Sequence, residues 1–293
     1  MIGPAAREAI PDSGGLLARR VADIRFAFAA LALPAAAAQP ASRPRVGFYD
    51  DDGYFPASQP LRRAVREGAT RLDHAGYEVV EFAPPDVPAA LDIFYGLFGA
   101  DGGAMWRARI AGGTVDPRMK DLLMLAGTPN VVRPFVAGVM RLGGQRRLAR
   151  TMRTAGRVDA TGAASLVRHR DEYRRQFALA MEKAGVDVLI CPPCAVPAFR
   201  HGGTRELGPA SVSYTCLYNL LAYPAGVVTT TEVRADETAD RPRSREKMVE
   251  QARLTDEGSQ GLPVGVQVIA SPGREEDVLT VMEELERSST WRR

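Results

Sequence analysis

The chain has 293 residues, 45% of them hydrophobic, which is enough to build a packed core and excludes a disordered chain. With 38 basic and 35 acidic residues the formal charge is +3, too balanced for nucleic-acid binding, which concentrates basic residues on one face. No apolar run approaches the roughly 20 residues that cross a bilayer, and three cysteines are an odd count that argues against a secreted disulfide framework and for a reducing cytoplasm.

The first segment, "ARRVADIRFAFAALALPAAAAQPA", imitates a targeting signal but is interrupted by Asp23 and Arg25. Leu17, Val21, Ile24, Phe28 and Leu31 fall at helical spacing, which predicts an amphipathic helix with both charges on the opposite face. Residues 1–38 are therefore read as a helix and the start of a linker, since "LPAAAAQPASRP" cannot continue a helix. Residues 39–293 form the remaining unit. It opens with a strand in "RVGFY", a helix striped by Leu61, Val65, Ala69 and Leu72, and a second strand in "YEVVEF" after Gly76. Such a βαβ crossover favours parallel strands covered by helices, hence an α/β fold.

Residues 119–150 read as a basic amphipathic helical hairpin. Val132, Phe135, Val136, Val139 and Met140 form its apolar stripe, while Arg133, Arg141, Arg146, Arg147 and Arg150 supply only positive charge. It either packs on the core with a solvated basic face or docks weakly on an anionic membrane surface. A long helix striped by Leu166, Tyr173, Phe177, Ala180, Met181 and Ala184 follows, ended by Gly185 before the strand "VDVLI". "ICPPC" has metal-ligand or redox spacing. No second pair or nearby His completes a zinc site, and its prolines oppose the helix a redox dithiol needs, so Cys191 and Cys194 are structural. Residues 232–260 are charged and poor in apolar groups, which predicts a solvated loop or frayed helix without chemistry. A last helix carries Glu275, Glu276 and Asp277 in its first turn and Val278, Met282 and Leu285 on its stripe.

No Gly-x-Ser-x-Gly elbow presents a serine to His74, His169 or His201, and "GADGG" lacks the context of a phosphate loop, so no nucleotide, metal or other cofactor is expected. Three stretches in order, "GLLARRVADIRFAFAAL", "YNLLAYPAGVV" and "GLPVGVQVIA", resemble the later half of the amidase signature family of amide hydrolases. "YGLFGADGG", "VDVLICPPCAVPA" and "SVSYTCLYNLLAYPAGVV" are most similar to the fatty acid amide hydrolase branch. Leu16 replaces the family's usual Pro after Gly, and Cys191 stands where Thr is frequent.

The resemblance implies a mixed β-sheet surrounded by helices, of which this chain is the later half. It implies hydrolysis of lipophilic carboxamides through an acyl-serine intermediate, and a hairpin placed where that branch has a membrane-approaching cap. By resemblance, Leu97 and Phe98 line the acyl-chain channel. Gln267 places a neutral hydrogen-bonding group near the active-site side, or else satisfies a loose backbone group. Asn219, just before "LLAYPAGVV", can tie a turn to its own backbone and Tyr218 can bridge core to solvent, with a place in the substrate pocket as the alternative that the resemblance implies.

The family's catalytic Lys and two Ser belong to its earlier half, about two hundred residues that make up a domain's worth of sheet. Lys120, Lys183 and Lys247 have no serine at the family's spacing, and Ser13-Gly14-Gly15 is only a faint echo of the nucleophile loop. Alone, the chain is expected to be inactive. It is expected to be the later portion of a longer amidase, truncated by a gene-start error or by fission; the alternatives are a split enzyme completed by a partner chain with the catalytic half and a non-catalytic protein that holds acyl chains.

Overall fold

The computed structural model describes residues 9–11, 13–31, 43–114, 116 and 119–291. The Pro- and Ala-rich linker at 32–42 lies outside the described residues, as do residues 1–8. The first helix, α1 (Val21–Leu31), is shorter than the periodicity suggests; Leu17 precedes it and is fully exposed. Its two charges also differ in role. Asp23 faces water, whereas Arg25 bonds Glu283, Glu276 and Thr280, so the ion pairs rather than the apolar stripe alone hold α1 in place.

The expected crossover follows as β1 (Val46–Phe48), α2 (Gln59–His74) and β2 (Val79–Glu81), with Leu61, Val65, Ala69 and Leu72 all buried. Next come α3 (Val87–Gly99), the short α4 (Ala104–Arg109), α5 (Met119–Gly127), α6 (Arg133–Leu142), α7 (Arg146–Thr154) and α8 (Ala160–Ala184). Asp159 caps α8 by accepting the Gly162 N–H at 2.8 Å, and Gly185, at φ 64°, turns the chain out of it as only glycine does cheaply. The remainder is β3 (Val188–Cys191), α9 (Thr204–Leu207), α10 (Ser213–Leu221), β4 (Ala225–Glu232), α11 (Lys247–Glu257), β5 (Pro263–Ala270) and α12 (Glu275–Arg287).

The five strands form one mixed sheet in the order β2-β1-β3-β5-β4. β1 is parallel to β2 and β3, whereas β5 runs antiparallel to both β3 and β4. β3 alone joins the two halves, and all four of its residues are buried. Among the described residues no helix is long and apolar enough to cross a membrane.

Two expectations need correction. The stretch 119–150 holds three helices, and much of its positive charge is consumed internally. Arg133 is 3% exposed and donates to the carbonyls of Leu125, Thr128 and Met152, capping helix ends without any carboxylate. Arg147 pairs with Glu246 at 2.5 Å and Arg150 with Asp92 at 2.7 Å. The small core of this subunit is Ala137, Ala149 and Met152, while Phe135 and Val139 face outward.

The stretch 232–260, in turn, is a loop with one short 3-10 turn (Ala235–Glu237) up to residue 246 and a regular helix after it, and it is less solvated than its composition suggests. Its loop buries Glu237 and its helix, α11, buries Met248, Ala252 and Asp256, because its charges find partners far away in the chain. Arg241, 8% exposed at its side chain, bonds Asp256 at 3.0 Å, the Pro56 and Ala195 carbonyls, and the Ser58 hydroxyl. Glu237 accepts two donors of Arg63.

Candidate active-site wall

Where β1 and β3 end, the loop Tyr49–Ser58 turns across the sheet and meets α10. β5 presents Gln267 from below, in register with Cys191 on one side and Val227 on the other. Alternation along β5 would point every second side chain to one face; at Gln267 that face is occupied by α10. Its Nε2 lies 3.4 Å from both the Tyr214 carbonyl and the Cys191 sulfur, and the residue is 3% exposed.

Three tyrosines complete the cluster. The Tyr49 and Tyr218 hydroxyls are 2.8 Å apart, and the Tyr49 and Tyr214 rings stack at 6.3 Å. Tyr214 donates its hydroxyl to the Phe55 carbonyl at 3.2 Å and accepts the Asp52 N–H at 3.3 Å. Asp52 then accepts the N–H groups of Tyr54 and Phe55, each at 2.9 Å, and the Ser213 hydroxyl. Nearly every polar atom here has a partner, as a buried network requires.

Electrostatically the wall is built to keep its protons. Burial pushes the Cys191 thiol up to about 12 and holds the Tyr49 and Tyr218 phenols well above their ordinary value. Burial also raises the Asp52 carboxyl, against the opposing bonds from Ser213, Phe55 and Tyr54. At neutral pH the thiol and phenols are therefore neutral donors and not nucleophiles. Among the described residues no three His, Cys, Asp or Glu side chains converge as a metal would require.

The sequence-derived candidates separate in space. Gln267 and Tyr218 join the network, but Asn219 is exposed, and its backbone carbonyl accepts the Ala222 N–H at the end of α10. Leu97 is buried on α3, whereas Phe98 is 38% exposed and stacks on Phe94 at 6.2 Å and tilts on Trp106 at 6.0 Å. α3 packs against the wall's helix, where the Tyr95 hydroxyl lies 3.9 Å from the Cys216 sulfur. Tyr49, Asp52, Ser213 and Tyr214 were not legible as a site. The usable signal was "YDDDGYF" directly after a strand, where an Asp can tie the following backbone N–H groups. A cleft of about 660 Å³ lies elsewhere, at the junction of α4, α5 and α8, lined by Asp101, Arg107, Asn130, Arg157 and Asp159.

Comparison with known proteins agrees with this architecture. The sequence profile named Amidase matches residues 2–279. Fatty acid amide hydrolase 1 of Caenorhabditis elegans is 33% identical over 257 residues, 84% of this chain and 43% of the relative. Fatty-acid amide hydrolase 1 of Sus scrofa gives the same figures. Among solved structures, a fatty acid amide hydrolase superposes with a TM-score of 0.71 at 22% identity, covering 97% of this chain and 49% of that one. A 6-aminohexanoate cyclic dimer hydrolase superposes at 0.59 and 18% identity, covering 94% of this chain and 54% of that one. The chain thus spans under half the length of these curated relatives, and with a matching profile over nearly its whole length it belongs to the amidase family.

Proposed function

We propose that the chain supplies the sheet and the acyl-side pocket wall of an amidase that cleaves the carbon–nitrogen bond of lipophilic carboxamides. A Lys and two Ser carried by a separate segment would form the acyl-serine. The observation that carries this reading is the 33% identity to fatty acid amide hydrolases over 84% of this chain but only 43% of theirs. The chemistry of the wall supports the division of labour. Lys120, Lys183 and Lys247 are all exposed, and the buried thiol and phenols hold their protons.

An unactivated serine hydroxyl needs a proton acceptor before it can attack an amide carbon. In the proposed reaction the base takes the serine proton as the C–O bond forms. The C–N bond then breaks with that proton delivered to the leaving amine, and water hydrolyses the acyl-serine. Leu97 and Phe98 take the acyl chain and Gln267 is the polar group of the wall, with Asn219 an exposed polar group at the end of α10, outside the buried network. A fluorophosphonate serine probe tests this. The expected result is no labelling of residues 1–293 alone and labelling of a serine in the catalytic half when that half is present, on the same polypeptide or on a second one; strong labelling of one serine within residues 1–293 alone overturns it.

A second reading, a non-catalytic protein that holds acyl chains at a membrane surface, is favoured by one observation. Phe135, Val139 and Leu142 are 75%, 55% and 91% exposed along α6. Saturable, stoichiometric binding of a fatty amide by a monodisperse preparation would support it, and aggregation without binding would remove it.

A further inference from the structure

The sheet ends on β4, whose outer side has no strand beside it among the described residues. An edge of that kind offers unpaired N–H and C=O groups to any other extended chain, and natural sheets blunt it with charge, proline, a bulge or a cover. The stretch 225–231, "AGVVTTT", contains neither a charge nor a proline, and Val227 in its middle is 51% exposed. What β4 has instead is a bulge, where its pairing with β5 shifts register between Thr229 and Thr231, and a cover over that bulge.

The cover is the segment that leaves α12. The Thr290 N–H donates to the Thr230 carbonyl at 3.2 Å, and the Ser289 hydroxyl lies 3.0 Å from the same oxygen and 3.3 Å from the Thr229 carbonyl. The Thr290 hydroxyl reaches the Thr230 carbonyl at 3.3 Å. This strap is itself tied down. The Ser288 N–H donates to the Glu284 carbonyl at 3.1 Å, the Ser288 carbonyl accepts from Arg71 of α2 at 3.3 Å, and the Trp291 N–H donates to the Ser289 hydroxyl at 3.1 Å. It occupies only the bulged end of β4. Ahead of it the edge lies open in a groove of about 410 Å³, bounded by Val227, Val228 and Thr229 along the strand and by Arg20, Ser289 and Trp291 on its sides.

We propose that residues 288–291 are a strap masking part of a strand-pairing edge, and that the partner this edge fits is the β4 of a second copy of the chain. An uncharged edge selects a like edge. Two copies of "AGVVTTT" meeting about a twofold axis run antiparallel, the pairing β4 already makes with β5, and no like charges face each other within 225–231. With the strap in place the carbonyls of Thr229 and Thr230 are taken, so the two strands can meet only along the groove. Release of the strap lengthens the pair, and the two five-stranded sheets join into one.

Sedimentation equilibrium of the chain and of Ser289→Ala with Thr290→Pro tests this. The double substitution removes the Ser289 hydroxyl and the Thr290 N–H while leaving β4 itself unchanged. One net hydrogen bond shifts an equilibrium about five-fold, so two should strengthen dimerisation about twenty-five-fold. Adding Val227→Lys to that variant sets like charges near the axis and should return it to monomer. Leu179→Lys, at a 61% exposed position on α8, serves as the distant control and should leave the dimer intact. A second readout, hydrogen exchange, should show the Val227 and Val228 amides of the strap variant slowing as its concentration rises.

A strap variant that dimerises no more strongly than the parent chain would overturn the proposal. So would a dimer that survives Val227→Lys, one that Leu179→Lys weakens equally, which would mark general apolar association, or exchange at Val227 and Val228 that does not change with concentration. None of these outcomes depends on the serine-probe result.

Discussion

Replacing Arg241 with Met would test whether the charged segment 232–260 is held by a buried ion pair. The guanidinium is 8% exposed and its partner Asp256 2%, and three further acceptors, Pro56 O, Ser58 Oγ and Ala195 O, lie within 3.2 Å of its nitrogens. Ala195 O would keep its bond from the Ser58 N–H, and one Asp256 oxygen its bond from the Ser58 hydroxyl, but the Pro56 carbonyl and the other Asp256 oxygen would lose their partner. Breaking a buried pair from one side costs about 3 to 5 kcal/mol, against about 0 to 1 for an exposed pair. Urea unfolding followed by circular dichroism at about pH 7 reads the difference.

Burial already raises the Asp256 carboxyl, with Arg241 and Ser58 opposing. Without Arg241 the folded variant holds the Asp256 proton more tightly than the unfolded chain does, so its deficit relative to wild type shrinks as pH falls through the raised value of that carboxyl. Adding Asp256→Leu should recover part of the loss, because an apolar pair of similar volume carries no buried charge. A cost below about 1 kcal/mol for Arg241→Met, or a double variant that loses the sum of both single changes, would refute the reasoning.

Two carboxylates should pull the pH dependence of stability in opposite directions. Burial holds Asp52 above its ordinary 3.8; its contribution is present below that value and declines as pH rises through the shifted one, so Asp52→Asn should flatten that decline. Burial alone would raise Glu237, but Arg63 and the Arg234 N–H outweigh it and hold it below 4.5. Its contribution is present above 4.5 and lost as pH falls through the lowered value, so Glu237→Gln should remove that acid-side loss. Thiol titration of the native chain should find at most one slowly reacting cysteine, Cys194, and all three after unfolding; three fast thiols would contradict the buried positions of Cys191 and Cys216. Gly99→Ala should lower thermal stability by about 1 to 3 kcal/mol, since its Cβ would meet the Ala155 carbonyl oxygen at 2.4 Å, and an unchanged melting temperature would exclude that contact.

The βαβ opening was readable because its information is local: a stripe at 3.6-residue spacing and a glycine stop specify α2 without reference to the rest of the chain. The amidase-like strand "GLPVGVQVIA" was readable as β5 for the same reason, with Gly261 at φ 76° turning the chain into it. In segment 232–260 the loop was readable but its burial was not, because a charge looks solvated until its partner is known, and Arg241 finds Ser58 and Asp256 only in three dimensions. Arg133 misled in the same way, since its acceptors are backbone carbonyls that no side-chain pattern reveals. Of the candidate wall, Gln267 was visible as a polar residue in an apolar strand. Asp52 was hidden in a turn, where three consecutive acids read as solvent-facing.

The position of β3 has a kinetic consequence. As the one strand bonded to both β1 and β5, it must wait on each side for partners far away in sequence, and closure of such distant pairs slows folding. During synthesis β1, β2 and β3 emerge first, which leaves the flank of β3 that Gln267 will cover bare until residue 270 has been made. Pulsed hydrogen exchange during refolding should accordingly protect β1 and β2 amides ahead of β4 and β5. In the interval, the uncovered flank is the surface on which two nascent chains would stick to each other.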